Sequence, residues 1–517
     1  MKRFIFTLII VMISAGSLYA AGKKESTTSS DRAMYLSGQG YITPANEIEI
    51  DAYISQEDYD YPLPIDTPVN FVVDAEQKGE LSYLQIGMKA QKTAFKDLPK
   101  FNIAFVIDCS GSMSAANKLE WVKDSFEIFI ENVRPTDYVS LIVFSNDASV
   151  CYPATQMKTY IEKQSFKQKV LSMRASGGTN IYDGLAAGYQ EVIANYDSSY
   201  NNRVILLTDG EHNARKKTKD DIVNLAAKYN KLDINVSCIA LGTSADVNLM
   251  NDIAQEGGGS SRFISNHEKM VETFSTELDR LLVPAARDLN ITLTLGDDIT
   301  LLETWGYKNK TVGQTISYEL ESIHNGDYET IVTELLLPKN YNNSRPLAWL
   351  TYDYKTMDNQ IKKSTAIPIY LMEKASDASK TIMNSRILKS EAYIRLARLL
   401  IDIANRADNI SSLQRQYNND IRNDGRNGTV YINGDPVQSV SEQDNTSKAT
   451  MDEIIYQLNL CIQKLDDMRT DLMRIDDILP GDQFVKDFQI LDNYKATFER
   501  NLNDMKSFSK KTEDLDF

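Results

Sequence analysis

An apolar run that ends in acidic and hydroxyl side chains constrains the fold of this chain more than any other stretch. Residues 105–107 read Phe-Val-Ile and lead directly into Asp108-Cys-Ser110-Gly-Ser112. Near-continuous apolar runs are typical of buried strands in a parallel sheet, and ligands bind such sheets at the carboxyl ends of the strands. The stretch therefore predicts a strand that delivers oxygen-bearing side chains to a loop.

Two later stretches supply further oxygen ligands of the same kind. The sequence Ser-Gly-Gly-Thr ends at Thr179, and Leu-Leu-Thr-Asp-Gly places Asp209 after the apolar run 204–207. Hydroxyls and carboxylates, with no thiolate or imidazole among them, suit a hard divalent cation such as Mg²⁺. The three stretches together predict one metal site, with the candidate ligands Asp108, Ser110, Ser112, Thr179 and Asp209.

These five positions resemble the metal-ion-dependent adhesion site (MIDAS) of the von Willebrand factor type A (VWA) domain family. The resemblance covers mainly residues 101–285. It implies that Ser110, Ser112 and Thr179 contact Mg²⁺, or else Mn²⁺ or Ca²⁺, with Asp108 and Asp209 close by, directly or through water. It also implies that one coordination position is left for an acidic side chain of a protein partner.

The section 101–285 alternates strand-like and helical patterns, as a doubly wound α/β domain requires. Helical spacing begins at Lys118, directly after the candidate metal loop. Apolar runs that predict a mostly parallel, Rossmann-like sheet occupy residues 103–107, 139–144, 204–207 and 236–241.

Short alternating runs flank this section on both sides and predict β-strands at 47–100 and 286–370. The resemblance extends to these flanks, because bacterial type A proteins and the inter-alpha-trypsin inhibitor heavy chains similarly surround the domain with β-structure. We therefore expect one discontinuous β-sandwich with the α/β domain inserted in it. Two separate small sheets are the alternative, which would bury less apolar surface.

The remaining section, 371–517, is predicted to be helical. A polar stretch at 407–447 suggests an insert with a small hairpin, and residues 450–507 suggest a coiled-coil hairpin of two helices. The heptad seam consists of Met451, Ile454, Leu458, Cys461, Leu465, Met468, Leu472 and Ile475. A second helical pattern follows so closely that pairing within one chain is favoured over self-association between chains.

The chain begins with a pattern that predicts export from a bacterial cell. Residues 1–20 combine a basic end, an apolar core and a small-residue cleavage region, as a signal peptide does. Residues 21–46 are rich in Ser and Thr and suggest a flexible leader. No later stretch approaches the run of about 20 apolar residues that a membrane span needs. We expect a mature protein without an integral span, located in the periplasm or cell envelope, or secreted.

Charge and cysteine usage narrow the classes of function. The net charge of −16 and the pI near 4.9 argue against nucleic acid or an anionic membrane as the main partner. The four cysteines lack the spacing of a zinc or redox site and are expected to be buried free thiols.

The combined pattern predicts an exported binding or adhesion protein that is not an enzyme. The metal site would provide protein–protein interaction, with Asn180, Glu211 and His212 as a partner-binding rim. One alternative is an architectural envelope scaffold in which the metal only stabilises the fold. A metal-dependent hydrolase is the other, and it lacks a recognisable pair of nucleophile and base in the sequence.

Overall fold

The computed structural model describes residues 28–55, 59–93, 99–210, 212, 217–242, 244–274, 284–356, 360–371, 384–424, 431–432, 435–436 and 441–513. The predicted signal peptide and Glu211 lie outside the described residues. The described residues form two compact units. The sheet unit holds 28–31 and 49–390, and the helical unit holds 32–48 and 391–513.

The described part of the N-terminal region is helical. Helix α1 spans Thr28–Gly38, a 3₁₀ turn spans Ala45–Glu47, and α2 spans Ile50–Ser55. The prediction of a flexible leader is therefore wrong for 28–46, and the prediction of strands is wrong for 47–55 and 59–68. The physical reason is long-range packing, because the few apolar side chains of this region, such as Ala33 and Leu36, are buried.

Two strands precede the α/β domain and form an antiparallel pair. Strand β1 spans Val69–Lys78 and β2 spans Leu81–Ala90. Gly79 lies between them with φ of +68°, a left-handed conformation that glycine adopts without strain.

The α/β domain has a six-stranded sheet covered by helices. In order along the chain its elements are β3 Lys100–Asp108, α3 Lys118–Asn132, β4 Tyr138–Phe144, β5 Ala148–Gln156, α4 Tyr160–Ser172, α5 Ile181–Ala194, β6 Tyr200–Thr208, α6 Lys219–Asn230, β7 Ile234–Leu241, α7 Val247–Glu256, β8 Ser261–Ile264 and α8 His267–Glu272.

The sheet order is β5-β4-β3-β6-β7-β8, with only β5 antiparallel to its neighbour. The predicted mostly parallel, doubly wound sheet is thus confirmed. Strand β3 lies between β4 and β6, so the carboxyl ends of β3 and β6 are adjacent. The core beneath them is aromatic, with the Phe105 ring edge-on to Phe126 at 4.7 Å and to Phe129 at 4.8 Å between centroids.

The described residues between the α/β domain and the long C-terminal helices form the strands β9 Pro284–Leu295, β10 Thr300–Trp305, β11 Asn309–Val312, β12 Thr315–His324, β13 Tyr328–Leu336, β14 Ala348–Thr356, β15 Ile361–Lys363 and β16 Ile367–Ile369. One sheet has the order β1-β2-β13-β10, and the other has β11-β12-β9-β14-β15, with β16 also on β14.

Strands from the two flanks of the α/β domain pair directly, because β2 is antiparallel to β13 with Ile86 opposite Ile331. Both sheets contribute to one buried core, which includes Leu84, Ile86, Ile291, Leu293 and Ile331. The predicted β-sandwich that surrounds the α/β domain is therefore confirmed.

Three long helices dominate the rest of the chain: α9 Ser385–Asp424, α10 Ser441–Asp476 and α11 Val485–Glu513. The bounds predicted for the polar insert, 407–447, are wrong at both ends, because α9 continues to Asp424 and α10 begins at Ser441. The helical face of α9 persists because Ala407, Ile410, Gln414 and Tyr417 are all buried at helical spacing. The predicted hairpin is present as β17 Tyr431–Ile432 and β18 Asp435–Pro436.

Helices α10 and α11 are in contact with each other. The seam residues of α10 are buried apart from the half-buried Met468, and the ion pairs Arg469–Asp492 and Lys495–Asp466 join the two helices. The seam is thus filled within one chain. Among the described residues, no helix combines the length and apolar character that crossing a membrane requires.

Candidate metal centre

The first segment of the candidate site is the loop that follows β3. Asp108 is the last residue of β3 and is fully buried. One of its carboxylate oxygens, Oδ1, accepts a hydrogen bond from the backbone N–H of Ser110 at 2.7 Å, and Oδ2 accepts one from the Thr208 hydroxyl at 2.6 Å. The Ser110 and Ser112 hydroxyls are hydrogen-bonded to each other at 2.9 Å.

The second segment follows β6 and centres on Asp209, whose side chain is also fully buried. Its Oδ1 accepts a hydrogen bond from the Ser112 hydroxyl at 2.7 Å, and its Oδ2 accepts one from Lys118 Nζ at 2.5 Å. The Asp209 carbonyl oxygen accepts a hydrogen bond from the Ser244 hydroxyl at 2.6 Å. Ser112 therefore links the first two segments of the site.

The third segment is the loop between α4 and α5 that contains Thr179. Backbone hydrogen bonds attach this loop to the first one, with Gly111 N–H donating to Gly177 O at 3.0 Å and Ser176 N–H donating to Cys109 O at 2.7 Å. A Cβ added at Gly210 would lie 3.4 Å from the Thr179 hydroxyl oxygen and 3.7 Å from that of Ser112. These two hydroxyls thus flank the same glycine.

The structure therefore brings all five predicted side chains to one edge of the sheet. Burial raises the pKa of Asp108, while the hydrogen bonds from Thr208 and Ser110 counteract this rise by stabilising its carboxylate. Within the described residues, no group of three or more His, Cys, Asp or Glu side chains could hold a metal ion. The set at this edge has two carboxylates and three hydroxyls, a donor chemistry that fits a hard cation.

Comparison with known proteins assigns this section to a family. Residues 102–277 match the von Willebrand factor type A domain. The chain contains a type A domain. The candidate site lies at the carboxyl ends of the central strands β3 and β6 of this domain.

Several proteins are similar to this chain over different lengths. The uncharacterised protein YfbK of Escherichia coli is 20% identical over 64% of this chain and 63% of its own. Inter-alpha-trypsin inhibitor heavy chain H3 of Homo sapiens is 32% identical over 32% of this chain and 19% of its own. The chain therefore spans less than two thirds of both relatives. A solved von Willebrand factor type A structure from Catenulispora acidiphila aligns with 81% of this chain and 91% of its own, with a TM-score of 0.47 and 14% identity.

The thiol of Cys109, which lies between the candidate ligands Asp108 and Ser110, does not have the properties of a nucleophile. Cys109 is buried, and burial raises the pKa of its thiol to about 12, with further contributions from the nearby Asp108. The thiolate is the reactive form of cysteine. Cys109 is therefore a protonated core residue at neutral pH.

The predicted rim residues Asn180 and His212 make hydrogen bonds within the type A domain. The Asn180 side-chain oxygen caps α5 by accepting from Asp183 N–H at 3.3 Å. The Nδ1 atom of His212 accepts from Ile181 N–H at 3.2 Å, and its Nε2 atom lies 3.0 Å from the carbonyl oxygen of Lys217. His212 therefore ties the loop after Asp209 to the start of α5.

Sequence reasoning missed three residues that surround Asp209 and Asp108. Thr208 and Ser244 carry no pattern that distinguishes them from other hydroxyl residues. Lys118 does have a distinguishing sequence pattern, because it is a basic residue at the first position of a predicted helix, directly after the candidate metal loop. A positive charge is unfavourable at a helix N-terminus. A lysine at this position therefore indicates an acidic partner, which in the structure is Asp209.

Proposed function

We propose that this chain is an exported binding protein whose type A domain uses a divalent cation, Mg²⁺ first among them, to bind an acidic residue of a protein partner. Ser110, Ser112 and Thr179 would hold the ion, with Asp108 and Asp209 behind them. A bound ion would supply an electrophilic position for a carboxylate oxygen. The observation that carries the proposal is the convergence of oxygen donors from three loops on the adjacent ends of β3 and β6.

The burial of the donors supports a site that is rigid at its base and open at its rim. Asp108, Asp209, Ser110 and Thr179 are buried, whereas Ser112 is exposed. The bonds from Thr208 and Ser110 N–H hold the Asp108 carboxylate in one orientation. A partner would approach from the side of Ser112, because the other donors are covered by protein.

The proposed place of action is the bacterial periplasm or cell envelope, on the basis of the expected signal peptide. The similarity to an inter-alpha-trypsin inhibitor heavy chain supports a protein-binding role. The helical pair α10 and α11, for which we propose coiled-coil packing, would serve as a stalk or a second docking surface.

Calorimetric titration of the mature protein with Mg²⁺, Mn²⁺ and Ca²⁺ tests the metal site. We expect Ser112→Ala to bind the preferred ion at least about tenfold more weakly, since a direct oxygen ligand is lost. Ser114→Ala is the matched control. Ser114 lies with Ser112 in the 3₁₀ turn Gly111–Asn117, is exposed, and donates to Gly111 O. Equal loss of affinity in both variants, or no binding by the wild type, would contradict the proposal.

Partner capture tests the role of the bound ion. Envelope extract is passed over the wild type with Mg²⁺, the wild type with chelator, and Asp108→Ala with Mg²⁺. A captured protein supports the proposal only if the purified partner binds the wild type with Mg²⁺ and loses affinity when one of its own acidic residues is neutralised. Retention of the same purified partner under all three conditions would contradict a metal-mediated contact. Metal binding with no such partner would favour the architectural scaffold instead.

A further inference from the structure

The ammonium group of Lys118 is hydrogen-bonded to Asp209, one of the two carboxylates of the candidate metal centre. Lys118 Nζ donates to Asp209 Oδ2 at 2.5 Å, and the side chains of Lys118 and Asp209 are 9% and 0% exposed. An ion pair so far removed from water is much less screened than a surface pair. The remaining oxygen of the same carboxylate faces Ser112.

Local backbone preferences oppose this position of the lysine. Lys118 is the first residue of α3, where the helix dipole disfavours a positive charge. The two residues before it, Ala116 and Asn117, have φ values of 52° and 59°, a left-handed conformation that is uncommon outside glycine. The turn that directs Lys118 inward therefore combines left-handed backbone at Ala116 and Asn117 with a positive charge at the start of a helix, and both are unfavourable.

A glycine in a different segment leaves room for the lysine side chain. Gly242 follows β7 with φ of +76°, and a Cβ added there would lie 3.1 Å from Lys118 Cε and 3.4 Å from Nζ. The backbone N–H of Gly242 donates to Ile264 O at 3.1 Å, which fixes this backbone against β8. The space for Lys118 is therefore built by the end of β7 as well as by α3.

We propose that Lys118 is a resident cation of the metal centre that competes with the divalent ion for Asp209 and so lowers the affinity of the site for that ion. The inference rests on the proposed function. Asp108 and Asp209 contribute two negative charges, and Lys118 leaves a net charge of one negative. A divalent ion then gives the loaded site one net positive charge. Without Lys118 the loaded site would be neutral, so Lys118 maintains the attraction for an anionic ligand.

The test is a calorimetric titration with Mn²⁺ alone. Two variants, Lys118→Met and Lys118→Gln, remove the ammonium, and the Gln variant keeps a hydrogen-bond donor for Asp209 so that the fold is retained. We expect both to bind Mn²⁺ at least about tenfold more tightly than the wild type, because a like charge next to the ion is lost. Circular dichroism and thermal unfolding verify that each variant is folded before titration.

Lys123→Met is the matched control. Lys123 lies on the same helix and is as buried as Lys118, at 6% side-chain exposure, but it pairs with Glu120 at 2.8 Å. We expect its Mn²⁺ affinity to stay within about twofold of the wild type. Folded Lys118 variants that bind Mn²⁺ no more tightly than a metal-binding wild type would overturn the inference alone. Absence of Mn²⁺ binding in all four proteins would overturn the proposed function itself.

Discussion

At the scale of single residues, Asp209 organises the candidate centre. Its two carboxylate oxygens and its carbonyl oxygen each accept a hydrogen bond from a different segment, from Ser112, Lys118 and Ser244. Asp108 has a similar position on the neighbouring strand, with Thr208 as its partner. Both carboxylates are thus oriented before any ligand is present, which lowers the entropic cost of binding an ion.

Asp252, an acidic residue of α7 in the type A domain, is expected to make the stability of the protein depend on pH. Desolvation, with further repulsion from Asp246 and Glu256, raises the pKa of Asp252 to about 6. Between about pH 4 and pH 6 the folded state keeps this proton more readily than the unfolded state does, so stability falls as pH rises. A pKa rise of this size corresponds to about 3 kcal/mol, and solvent screening of this partly exposed side chain reduces that amount. We therefore predict that Asp252→Asn is more stable than the wild type by about 1 kcal/mol at pH 7 and no different below pH 4.

Urea unfolding at pH 4, 5, 6 and 7 measures this difference. Asp467→Asn is the control, since Asp467 is an exposed acidic residue of α10. A constant difference between Asp252→Asn and the wild type across the four pH values would show that Asp252 is not the titrating group.

At the scale of elements, α5 depends on close contact with the sheet. A Cβ added at Gly188 would lie 2.5 Å from Val106 Cγ2, and one added at Gly184 would lie 2.7 Å from Phe144 Cδ1. Two glycines one turn apart lower the helix propensity of α5. They also let its backbone approach the central strands, and Thr179 lies directly before this helix.

Gly188→Ala is therefore predicted to destabilise the protein even though Ala is the better helix former. The expected loss is about 1 to 3 kcal/mol in the free energy of unfolding, from overpacking against Val106. Gly38→Ala is the matched control, because nothing lies within 4 Å of a Cβ there. Chemical unfolding of both variants checks the prediction, which fails if Gly188→Ala is as stable as the wild type.

Within the helical unit, the N-terminal segment is attached to α11 by a buried hydrogen bond. The backbone N–H of Thr43 donates to the Tyr494 hydroxyl at 2.8 Å, and burial raises the pKa of Tyr494 to about 12. Tyr494→Phe leaves that N–H without its acceptor, at an expected cost of about 1 to 3 kcal/mol. We predict faster hydrogen exchange at residues 41–48, and unchanged exchange there would mean that the hydroxyl does not hold the segment.

At the scale of the whole molecule, the sequence predicted those parts of the fold that have strong periodic patterns. Strands β3, β4, β6 and β7 are continuous apolar runs, and the seam of α10 repeats every seven residues. Strand β8 was not predicted, because it has only four residues. Helix α1 was not predicted from the sequence, because its burial depends on contacts that are distant in sequence.

The candidate site shows the same division between local and long-range information. Four of the five proposed ligands follow apolar runs as acidic and hydroxyl residues, and Thr179 ends the stretch Ser-Gly-Gly-Thr. Lys118 and Ser244 could not be assigned to Asp209 in this way, because each meets it only through the tertiary fold. The ring of His212, a predicted rim residue, makes two hydrogen bonds within the domain that brace a loop. Its contact with a partner stays a prediction.

The central claim, that the three loops hold a divalent cation, is tested most directly by anomalous diffraction from crystals of the mature protein grown with Mn²⁺. We predict an anomalous peak within about 2.5 Å of the Ser110, Ser112 and Thr179 hydroxyl oxygens. Absence of the peak, or a peak bound only to other side chains of the type A domain, would contradict it.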